Sequence, residues 1–73
     1  MTVNVTVSLE DDKFVIVAEQ NDKKLFKSPM KTKPKTRGAI EKQLRKDLKC
    51  YDTPLYGGMN IFFTRQVLQQ IGE

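Results

Sequence analysis

The 73-residue chain has no histidine, no tryptophan and a single cysteine, Cys50. Without histidine it lacks the side chain that most readily moves protons near neutral pH. A lone thiol with no imidazole has no partner base to make it a nucleophile. Zinc needs about four Cys or His ligands, and the chain holds one in total. One cysteine also excludes an internal disulfide. Small secreted domains are usually stapled by several such bridges, so a reducing, cytoplasmic setting is expected. The start, Met1-Thr2-Val3-Asn4-Val5, has neither a basic patch nor the apolar run of an export signal. No stretch approaches the roughly 20 apolar residues of a membrane span, so no membrane role is expected.

Other absences narrow the chemistry further. Gly57-Gly58 is not followed by the Lys-Ser/Thr of a phosphate-binding loop, and it reads as backbone freedom before a strand. Glu10-Asp11-Asp12 lacks the spaced oxygen ligands and the distal Glu of a calcium loop, and it reads as a polar turn. The expectation is a protein without catalytic residues, metal or cofactor.

What the chain does have is segregated charge. Eleven of its thirteen Lys and Arg lie between Lys23 and Lys49, opposed there only by Glu41 and Asp47, a formal +9 over 27 residues. The first 22 residues carry −4 and the last 24 carry −1, so the net +4 conceals a polarised molecule. Segregation of this kind creates a local field that attracts partners of opposite sign.

The elements follow from periodicity. From Thr2 to Leu9, Val3, Val5, Val7 and Leu9 alternate with Thr2, Asn4, Thr6 and Ser8, the period of a strand with one buried face. Lys13 to Glu19 is a second strand. Phe14, Ile16 and Ala18 lie on one side and Val15 and Val17 on the other, which places it centrally in a sheet. The two read as an antiparallel hairpin. Lys23 to Ser28 supplies a short third strand with Leu25 and Phe26 on opposite faces. Pro29 and Pro34 then break regular structure, which makes 28–36 a basic loop.

Thr36 is placed to N-cap a helix to about Lys49, with Ile40, Leu44 and Leu48 on one stripe, joined by Tyr51 if the helix continues. Lys42, Arg45, Lys46 and Lys49 fall opposite, and Glu41 stands i,i+4 from Arg45. Cys50 to Met59 reads as a loop, Asn60 to Phe63 as a last strand, and Arg65 to Ile71 as a short helix capped by Thr64 and ended by Gly72. The expected fold is one α+β domain over residues 1–73. It consists of a small antiparallel sheet of three to four strands, in the order β-β-β-α-β-α, packed against one main amphipathic helix and a short C-terminal helix.

Two functions suit this pattern. One is a small non-enzymatic binding protein that contacts DNA or RNA phosphates through Lys31, Lys33, Lys35, Arg37, Lys42, Arg45, Lys46 and Lys49. Most of these cations are Lys, a point charge rather than a planar fork, so little base specificity is expected. The other is a small regulator or inhibitor that meets an acidic protein surface with the same face. Tyr51, Tyr56 and Met59 are alternative contacts, and a sheet edge is open to a partner or to a second copy in a homodimer. The remaining aromatics are needed for the core of so small a chain. Whether the loop and helix cations share one face depends on where the loop runs.

Overall fold

The computed structural model describes residues 2–49 and 58–72. The alternating segment Val3–Glu10 forms β1, Lys13–Gln20 forms β2 and Lys23–Pro29 forms β3. Both hairpin loops are two residues long, Asp11-Asp12 and Asn21-Asp22, and all four residues have positive φ, between 51° and 63°. That is the signature of type I′ turns, whose twist matches the flanking strands. Asp and Asn tolerate the left-handed region better than other residues with a Cβ, but glycine occupies it without cost. Asp22→Gly, which creates the favoured Asn-Gly pair, is therefore expected to stabilise the chain by up to about 1 kcal/mol. A thermal melt should move up by several degrees. A fall in midpoint would contradict the turn assignment.

β3 pairs with β2 through a bulge. Phe26 lies opposite Ala18 and Lys24 opposite Glu19, which leaves Leu25 as the extra residue. Phe26 thereby reaches the core while Leu25 stays 40% exposed. Beyond the loop, Arg37–Asp47 is α1, Met59–Phe63 is β4 and Arg65–Gln70 is α2. The sheet order is β3-β2-β1-β4, so β2 is interior, as its two apolar faces suggest. Val15 is buried on the outer face of β2 and Val17 half-buried.

The α+β class and the element order agree with the sequence reading, but the sheet is mixed: β4 runs parallel to β1, with Val3 opposite Met59 and Val7 opposite Phe63. A parallel neighbour needs a connection of a dozen residues or more, and the long path through α1 provides it. Every strand contributes one face to a single core. Val3, Val5, Val7, Phe14, Ile16, Ala18 and Met59 pack with Ile40, Leu44 and Leu48 of the α1 stripe and with Val67 of α2. Tyr51, expected to extend that stripe, lies outside the described residues.

Two threonines followed by arginine precede the two helices, and they behave differently. Thr36 Oγ1 accepts a hydrogen bond from the Ala39 N–H at 3.1 Å, as an N-cap should. Thr64 also stands at an N-cap position, but its side chain makes no capping bond, and its Oγ1 is buried without a hydrogen-bond partner. The sequence expectation of a Thr64 cap is thus corrected. Gly72 does end α2, in the left-handed region at φ 81°. Thr36→Ala should cost about 1 kcal/mol of stability. Thr64→Val, which removes an unsatisfied buried hydroxyl and keeps its shape, should be neutral or stabilising. Paired urea titrations measure both, and equal losses would refute the distinction.

Candidate functional site

The buried stripe of α1 decides which of its cations face outward. Ile40 and Leu44 are fully buried and the C-cap Leu48 is nearly so, so Lys42, Arg45 and Lys46 are held on the exposed side of α1; Lys49, expected on the same helix, lies in the turn just past its end and is also exposed. Arg45 and Lys46 stand in the last turn, where cations also complement the helix dipole. Asp47 is turned along the helix and accepts two hydrogen bonds from Gln43 Nε2, both 3.0 Å. The helix half of the basic segment is therefore one surface, fixed by the core.

The loop half is divided. Lys33 Nζ lies 3.0 Å from Asp12 Oδ1 at the tip of the β1–β2 hairpin and 5.6 Å from the centroid of the Phe14 ring. Lys27, on β3, reaches Glu10 at 3.0 Å. The acidic turn thus engages one cation of the basic loop, Lys33, and one of β3, Lys27. Both pairs are partly exposed, so each adds little to stability, but each occupies a charge that the sequence counts as available. Arg37 lies 5.2 Å from the Phe63 ring centroid, a contact that anchors the start of α1 over the end of β4. Lys31 and Lys35 diverge. Lys31 lines a shallow cavity with Asp47 and Leu48 at the end of α1, whereas Lys35 lines another with Phe14, Gln70 and Ile71 beside α2.

Of the eight cations expected to act together, the structure groups Lys42, Arg45 and Lys46 on one face of α1, with Lys49 exposed just past its end, and leaves Lys31 beside Asp47 and Leu48. It engages Lys33 with acid, seats Arg37 on an aromatic ring and turns Lys35 toward α2. The three candidate protein contacts fare differently. Tyr51 and Tyr56 lie outside the described residues. Met59 is 6% exposed and belongs to the core, so it supports β4 instead of offering a side chain to a partner. Among the described residues the exposed aromatic is Phe62, which the sequence reading assigned to the core; it is 51% accessible on the outer sheet face, beside Thr6 on β1. Alternation along β4 carried the signal for it: with Ile61 and Phe63 facing in, Phe62 must face out.

Among the described residues no group of three or more His, Cys, Asp or Glu side chains is placed to hold a metal. No helix among them is long and apolar enough to cross a membrane. Among the described residues, one shallow surface cavity of about 400 Å³ is lined by Glu10, Asp11, Lys13, Val15, Lys27, Ser28 and Pro29. No family model matches the chain, and neither a curated protein nor a solved structure matches it.

Proposed function

We propose that the protein is a non-enzymatic nucleic-acid-binding module that contacts phosphates through the outer face of α1. One observation carries this reading: three cations, Lys42, Arg45 and Lys46, share the exposed side of a helix whose opposite side is locked into the core, and Lys49 follows its C-cap Leu48. Such a surface is basic whatever the loop does. Lys31 adds a cation beside Asp47 and Leu48 at the C-terminal end of α1. Lys33 and Lys27 contribute less than their charge suggests, because a phosphate must first displace Asp12 or Glu10. Contact through lysines to phosphates gives affinity with little base preference.

The reading predicts that generic duplex DNA or RNA binds in a fluorescence-anisotropy titration, and that affinity falls steeply between about 50 mM and 200 mM salt. Absence of binding to either at low salt would overturn it. Retention of one stoichiometric protein from nuclease-treated lysate, with neither nucleic acid bound, would replace it with the regulator that docks on a protein surface.

A further inference from the structure

The two edges of the sheet are built differently. β3 carries Lys23, Lys24 and Lys27, a bulge at Leu25 and a terminal Pro29. Lysines, bulges and proline are the devices that keep an edge strand from pairing. β4, Met-Asn-Ile-Phe-Phe, has no charge and no proline, and its register with β1 is unbroken. Among the described residues β4 is bonded on one side only, to β1.

The direction of its free backbone groups follows from two hydrogen bonds. The Gly58 carbonyl accepts from the Val3 N–H, and the Thr64 N–H donates to the Val7 carbonyl. A strand's N–H and C=O pairs alternate in direction from residue to residue. Gly58, Asn60, Phe62 and Thr64 therefore face β1, and Met59, Ile61 and Phe63 direct their N–H and C=O groups away from it.

We propose that β4 is a self-pairing edge, joining two copies of the chain antiparallel into one continuous sheet centred on Ile61. With Ile61 opposite the partner's Ile61, and Met59 opposite the partner's Phe63, every outward N–H and C=O of these three residues is used. A register centred on Phe62 leaves Met59 without its strand partner. On the outer face, each exposed Phe62 comes to lie opposite Asn60 of the other copy. On the inner face, the half-buried Ile61 and Phe63 of the two copies meet and join the cores. Charge favours this edge over the other. Two copies of a chain with net charge +4 repel, and pairing through β3 would add three lysines from each copy to the contact, whereas pairing through β4 adds none. The two-fold axis stands perpendicular to the sheet, so both α1 helices lie on the same side, independently of what they bind.

The test uses the full chain without nucleic acid. Sedimentation equilibrium of the Cys50→Ser chain should give twice the 8.4 kDa monomer mass in the micromolar range. Adding Asn60→Cys and Phe62→Cys places thiols at non-hydrogen-bonded cross-strand positions, where Cα atoms lie about 4.5 Å apart, within disulfide range. Mild oxidation should convert this variant to a covalent dimer. Ile61→Pro removes an N–H that the pairing with β1 does not use, and proline is tolerated on an edge strand in that orientation. It should yield a monomer with unchanged circular dichroism. A monomer in the first experiment, a dimer that fails to cross-link at these positions, or a folded Ile61→Pro dimer would each overturn the proposal. The cross-linking result stands even if Ile61→Pro does not fold.

Discussion

Leu44→Ala is expected to leave most of the chain unfolded at physiological temperature. Leu44 is fully buried between the sheet and the rest of the α1 stripe. Truncating such a leucine costs about 2–5 kcal/mol, the lost transfer free energy plus that of the cavity left behind. At about 0.05–0.15 kcal/mol per residue, a chain of this length has roughly 4–11 kcal/mol in total, and small domains lie toward the lower end. The substitution therefore removes a large share of the whole. The effect should be nonlocal: because α1 covers much of the inner sheet face, its loss exposes Ile16 and Val5 as well. A thermal melt by circular dichroism should fall by well over 10 °C, at about 4–8 °C per kcal/mol for a domain of this size. Phe62→Ala, at a half-exposed ring on the other face, is the matched control and should change the melt by little in dilute solution. Comparable shifts for the two would mean that α1 is not packed as described.

The second large effect concerns binding. Lys42→Gln, Lys46→Gln and Lys49→Gln together remove two outward cations of α1 and the one just past its end without touching the buried stripe. If each meets one phosphate, the slope of log affinity against log salt should flatten by about 2.7. At low salt that corresponds to a loss of affinity of about a thousandfold. The informative comparison is Lys27→Gln with Lys33→Gln. It also removes positive charge, but from residues already facing Glu10 and Asp12. Its effect should be a few-fold at most. Parallel anisotropy titrations of the two variants separate a located surface from a general response to net charge. Losses in proportion to the number of charges removed would sink the α1 assignment and leave only nonspecific attraction.

The parts of the fold that were legible beforehand are those written in local periodicity. Val3, Val5 and Val7 alternate, and Ile40, Leu44 and Leu48 recur every four residues. Both patterns survive because nothing distant is needed to read them. The direction of β4 was not legible. Five residues of uncharged strand pair equally well either way, and the path of the connection selects one. Thr36 and Thr64 show the limit at the level of a single atom: both stand at a helix start before an arginine, yet only Thr36 Oγ1 finds a free N–H. On the candidate surface, the helix cations followed from the stripe, since outward is simply the opposite of buried. The fate of Lys33 did not follow. It depends on the loop passing the β1–β2 hairpin, a tertiary proximity between residues 21 positions apart.

The parallel pairing of β1 with β4 also bears on the order in which the chain is made and folded. The three-stranded meander is closed by two-residue turns, the cheapest loops a chain can form. It needs nothing beyond Pro29. β1, however, keeps its other side open until Met59 arrives opposite Val3. Of the four strands, β1 is made before the others yet is completed last, and until β4 arrives its N–H and C=O groups at Val3, Val5 and Val7 stay unpaired. Contacts this distant in sequence slow closure. The interval in which β1 waits is the period when the nascent chain most needs to be kept from its neighbours.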